Sequence, residues 1–127
     1  MIAVFTRILS DDLASLVKQI DKLVVSTQDR DRDHALCSYV VLITPNEDAD
    51  KVRLKNWGHE HGISPEVPLV LWSGEEGPQG FGISPAAAVT VFLWKEAKVV
   101  RAYGYREREL DAKASELIVK EAKRLIE

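Results

Sequence analysis

The chain has 127 residues, 46% of them apolar and 29% charged, enough to build one domain around one hydrophobic core without disulfides or metal. Seventeen basic against 20 acidic side chains leave a formal charge of −3, which argues against a nucleic-acid or anionic-membrane partner. Cys37 is the only cysteine, so no internal disulfide and no cysteine-rich metal site can form.

Ile2 to Ile8 is short, apolar and β-branched, and predicts a strand ending near Phe5. No run of about 18 apolar residues is present, and Arg7 follows the first five residues too soon for a signal peptide. The reading is of a soluble chain that opens inside its first strand. Ser10-Asp11-Asp12 then marks a helix start, a hydroxyl able to cap a free N–H and two carboxylates where the helix dipole favours negative charge. Leu13, Leu16, Val17, Ile20 and Val24 follow as one apolar stripe. The run Gln28 to His34 alternates acid and base and reads as a solvated loop.

Ala35 to Thr44 predicts a strand covered on both faces. Thr44-Pro45-Asn46-Glu47 has capping-box spacing with Pro at the first helical position, and Gly62 supplies a left-handed stop after His61. Val67 to Trp72 predicts a third strand. The glycine-rich stretch Ser73 to Gly82 carries Glu75 and Glu76, which would repel phosphate, and reads as a connecting loop. Val89 to Trp94 and Val99 to Tyr105 form a hairpin across a short polar turn. A final amphipathic helix is predicted from about Glu107, with Leu110, Ala114, Leu117, Ile118, Ala122 and Leu125 on its apolar side.

The order β-α-β-α-β, hairpin, helix predicts a mixed sheet with helices on both faces. Segment by segment it resembles the thioredoxin-like superfamily. Val89-Thr90-Val91-Phe92-Leu93-Trp94-Lys95-Glu96-Ala97-Lys98-Val99-Val100 is similar to the family's hairpin, and Phe81-Gly82-Ile83-Ser84 to the Tyr-Gly-Val segment that leads into it. Ile63-Ser64-Pro65-Glu66-Val67-Pro68-Leu69-Val70-Leu71 resembles the extra strand of peroxiredoxin-like and cytochrome-maturation-type members. The resemblance extends to uncharacterised bacterial proteins that keep the frame without its redox motif. It implies one thioredoxin-like domain over residues 1–127, a three-layer α/β/α sandwich with a mixed central sheet.

The resemblance also locates what is missing. The family's Cys-x-x-Cys stands at the first strand-to-helix junction, where the dipole and free N–H groups stabilise a thiolate. Ser10, Asp11, Asp12 and Leu13 occupy those four positions here. The family's cis-proline before the hairpin Thr is replaced by Val89, for which a trans bond is expected; Pro85 lies four residues upstream and could take over the turn. Two such losses argue against an enzyme and predict a redox-inactive domain without a cofactor, a protein-interaction or structural module that partners another protein or domain. The alternative is a thiol–disulfide protein whose reactive cysteines lie upstream of this chain.

Other candidate chemistry is thinner. Cys37 reads as an ordinary strand residue with a free thiol. His59 and His61 beside Trp57 form the most metal-like pair, but residues two apart on a helix diverge, so an exposed helix end is the preferred reading over a metal site. Trp72 and Trp94 belong to the core, unless they fall on the solvent side of the sheet edge and mark a binding face.

Overall fold

The computed structural model describes residues 1–27, 36–74, 82–84, 86–95, 98–106 and 108–124. The described elements run β1 (Ile2–Thr6), α1 (Asp11–Ser26), β2 (Ser38–Thr44), α2 (Glu47–Glu60), β3 (Leu69–Ser73), β4 (Val89–Lys95), β5 (Lys98–Tyr105) and α3 (Ala112–Arg124). The strands form one mixed sheet in the order β3-β2-β1-β4-β5. β1 pairs in parallel with β2, placing Ile2 beside Ser38 and Thr6 beside Leu42, and antiparallel with β4, placing Thr6 beside Val89. β1 is thus the central strand, and all five of its residues are buried.

α1 forms as its sequence dictates. Ser10 is the N-cap and its Oγ accepts from the Leu13 amide at 3.1 Å. Asp11 and Asp12 fill the first turn, where the dipole favours them. Leu13, Leu16, Val17 and Ile20 are fully buried, and Val24 nearly so. Thr27 closes the helix, its hydroxyl donating to the Val24 carbonyl and accepting from the Leu36 amide ahead of β2.

α2 starts differently from the expectation. Asn46 is the N-cap, so Pro45 stands outside the helix, and Thr44 does not cap it. The Thr44 hydroxyl instead accepts from the Asn46 amide and donates to the Asp50 carboxylate one turn inside the helix. The far end matches: Gly62 has φ 65°, its amide donates to His59 and the Ile63 amide to Gly58, which satisfies two of the orphan carbonyls. α2 also lies close on β3, since a Cβ at Gly58 would stand 2.6 Å from Leu69 Cδ1.

The layering corrects the three-layer expectation. Side chains of α1, α2 and α3 share one core with Ile2 and Val4 of β1, Val40 and Leu42 of β2, and Val89, Val91 and Leu93 of β4. Among the described residues, all three helices therefore cover one face of the sheet. The reason is handedness. The crossovers β1-α1-β2 and β2-α2-β3 step in the same direction along the sheet, so two right-handed connections place their helices on the same side. α3 then packs against α1.

The opposite face carries its own apolar cluster of Ala3, Phe5, Val41, Ile43 and Phe92, with Tyr39, Ile83 and Trp94 against it. Phe5 meets Tyr39 and Phe92 edge-on, at centroid distances of 6.3 and 5.9 Å. On β3 the same face presents Val70 and Trp72, which register with Val41 and Ile43 and are each 43% exposed.

The last helix begins later than its pattern predicts. Leu110 is buried but precedes α3, Asp111 accepts from the Ala114 amide as the helix opens, and Leu117 is exposed. Ile118 and Ala122 carry the packing, while Leu125 lies outside the described residues. No helix is long and apolar enough to cross a membrane among the described residues.

Candidate functional site

The strand-to-helix junction after β1 is where the resemblance would put chemistry. Thr6 ends the strand by bonding its hydroxyl to the Ile8 backbone, and the Arg7 amide donates to the Ala88 carbonyl at 2.8 Å. That bond holds the approach to α1 against the approach to β4. Ser10 and Val89, 79 positions apart by their numbers, consequently line one cleft of about 210 Å³ with Ile8, Asp12, Arg106, Arg108 and Leu110.

Ser10, Asp11, Asp12 and Leu13, the four positions to which the resemblance points, have ordinary structural duties. Ser10 is half-buried with its Oγ engaged by the Leu13 amide. Asp11 and Asp12 are exposed, and Asp11 Oδ1 stands 3.9 Å from His61 Nε2 at the end of α2. Leu13 is fully buried in the core. Val89 is 1% exposed, and no peptide bond is cis among the described residues, so Val89 follows a trans bond. Pro85 lies outside them.

Arg106 and Arg108 are the cleft residues that sequence reasoning missed. Arg108 falls in the stretch read as the start of the last helix and Arg106 just ahead of it, but the chain makes a turn there. The Arg106 amide donates to Glu109 Oε1, and Arg108 adopts φ 73°, a left-handed conformation uncommon for a side-chain-bearing residue. A non-helical backbone after β5 could have been read only from the Asp111 cap that follows.

Chemically the cleft offers two guanidinium groups, one carboxylate and a hydroxyl already used as an acceptor. Among the described residues that line it there is no thiol, and no imidazole or amine to act as a base for Ser10. Tyr105, opposite Val89 in the hairpin, has its hydroxyl pushed up by burial, with Tyr103 and Asp111 adding to the shift, so it stays neutral.

Cys37 is exposed and flanks the other end of the sheet, where its carbonyl accepts from the Ile2 amide at 2.9 Å. A five-residue strand separates the two ends, roughly 16 Å at the usual rise. The two histidines also part company. His61 packs against the Trp57 ring at 5.5 Å and faces Asp11, whereas His59 lines a groove beside β3. Among the described residues, no group of three or more His, Cys, Asp or Glu is arranged to hold a metal ion. His34 lies outside them.

Compared with protein-family models, curated proteins and solved structures, the chain matches none.

Proposed function

We propose that this chain is a redox-inactive α/β domain, built on a thioredoxin-like frame, whose role is to bind another protein. The frame is supported by its two halves: the parallel β1-α1-β2 unit, and the β4-β5 hairpin followed by α3 packed on α1. The placement of α2 on the same face as α1 departs from the two-sided layering that the resemblance implies.

The absence of redox chemistry rests on one observation. At the junction where a thiolate pair would stand, the Ser10 hydroxyl is committed to capping α1 and Leu13 is sealed in the core. Neither side chain can form a thiolate or exchange a disulfide. A binding role is favoured by β3, where apolar Val70 and Trp72 face solvent on the outermost strand.

The test is reduction of insulin disulfides by the purified chain with dithiothreitol as reductant. The expected rate equals the uncatalysed blank. Turnover above the blank that disappears in Cys37→Ser would overturn the proposal.

A further inference from the structure

The two edges of the sheet are built differently. β5, at one edge, carries Lys98 and Arg101 and is offset by an irregularity opposite Leu93 and Trp94, devices that discourage a further strand from pairing. β3, at the other, reads Leu-Val-Leu-Trp-Ser, with no charge, no proline and no bulge. That is the composition of an interior strand, placed outermost.

Among the described residues no strand pairs with its outer backbone. The Val40 amide donates to the Pro68 carbonyl and the Gly74 amide to the Thr44 carbonyl, bracketing the parallel ladder. Alternation within such a ladder directs the even-numbered residues of β3 toward β2. The amides and carbonyls of Leu69, Leu71 and Ser73 therefore point away from the sheet.

Beside this edge runs a groove of about 810 Å³ beneath α2, within the size range of ligand sites, roughly 300–1,000 Å³. Its floor is Leu54, Ile63, Val67, Leu69 and Leu71. Val70 also borders it, although the Val70 side chain belongs to the opposite face, so the groove reaches the edge of the strand itself. Along α2 the rim is Glu47, Lys51, Lys55 and His59, spaced four apart and so on one side of the helix. Two ammonium groups against one carboxylate make this rim positive, on a chain whose net charge is −3.

We infer that an extended segment of a partner protein, apolar and bearing Asp or Glu, adds to β3 as a sixth strand. Its backbone pairs with Leu69, Leu71 and Ser73. Alternate side chains enter the groove under Lys51 and Lys55 or lie on Val70 and Trp72. Charge selects this occupant over a second copy of the chain, because pairing two β3 edges antiparallel would bring the Lys51 and Lys55 rims together. The inference rests on the protein-binding reading above and gives it a surface and a ligand chemistry.

The test uses the full chain against an array of peptides, about nine residues long, in which Val, Ile, Leu or Phe alternates with Glu, and against the same array with Lys replacing Glu. Binders are measured by fluorescence anisotropy. The expected result is binding of Glu peptides at least about tenfold tighter than their Lys counterparts, with slowed hydrogen exchange at the Leu69 and Leu71 amides. The double variant Lys51→Glu/Lys55→Glu loses that preference, and Val70→Lys, at an exposed position, weakens binding without changing the circular dichroism. No binding by any Glu peptide, equal binding of both arrays, or binding that leaves the two amides unprotected overturns the inference. So does a dimer in sedimentation that Val70→Lys dissociates, or binding of dodecanoate without any peptide. These outcomes leave the redox reading intact, which falls only on disulfide turnover.

Discussion

Asp21 of α1 accepts hydrogen bonds from both the amide and the hydroxyl of Ser64, 43 residues further along the chain, with the amide contact at 3.0 Å. Asp21 is buried, 9% exposed, and its carboxylate is held by those two donors. The contact ties the helix of the first crossover to the connection that ends the second. Ser64 and Pro65 are also part of the wall of the groove beside β3, so one buried acid on α1 sets the position of a surface on which it does not itself lie.

Asp21→Ala leaves the Ser64 amide and hydroxyl without their acceptor, and the expected loss is about 2–3 kcal/mol for hydrogen bonds to a charged group. Equilibrium urea unfolding measures it. A loss below half a kcal/mol on the order-of-magnitude scale of surface substitutions would show that the pair is dispensable.

Gly62 ends α2 at φ 65° with open space where a Cβ would go. Gly62→Ala therefore meets no steric contact and suffers only the left-handed backbone penalty, about 1–2 kcal/mol. Thermal unfolding should show a lower midpoint. An unchanged midpoint would mean the left-handed stop is not under strain for other residues.

Asp50 is held below its ordinary carboxyl pKa of 3.8 first by the Thr44 hydroxyl and then by Arg53, whose Nη1 donates to Oδ1 at 2.7 Å. A carboxyl with a depressed folded-state pKa stabilises the fold above its unfolded pKa, and that contribution disappears as pH falls through the folded value. Stability should thus decline on acidification below 3.8, and Asp50→Asn should make this part of the profile shallower. Urea midpoints measured for both proteins across that range decide it; parallel profiles would remove Asp50 as a contributor.

Trp57 is 6% exposed, and its indole Nε1 is buried with no hydrogen-bond partner among the described residues. An unsatisfied donor of this kind costs about 1–3 kcal/mol, comparable to what the larger indole gains over a phenyl ring by burial. Trp57→Phe should therefore change stability by less than about 1 kcal/mol, whereas Trp57→Ala should lose about 3–5 kcal/mol through the cavity it opens. Denaturant unfolding of both variants, followed by circular dichroism, separates these outcomes.

The elements were legible in the sequence wherever a local signal was strong. Ser10 with two acids before an apolar stripe yields α1, and Gly62 after His61 yields the end of α2, because caps and helix stops act over three or four residues. The start of α2 was misread because Thr44, with the spacing of a cap, found a stronger partner in Asp50. Leu117 has helical spacing with Leu110 and Ala114 yet faces solvent, since periodicity marks an apolar side without saying what will cover each residue.

The candidate site divides the same way. That Ser10 and Leu13 cannot do thiol chemistry follows from the residues themselves, with no need of a fold. That Ser10 shares a cleft with Val89 and two arginines, that Cys37 sits at the far end of the sheet, and that β3 rather than a charged strand lies outermost are properties of strand order. Strand order, like the choice of sheet face for each helix, arises from which distant apolar surfaces bury one another and from the handedness of the crossovers. Neither is written in any short run of residues. By itself the sequence determined that three helices form, the cap of α1, the stop of α2 and the lack of a second cysteine; the tertiary structure alone decided that α2 joins α1 and α3 on one face and that, among the described residues, an apolar strand lies at the edge.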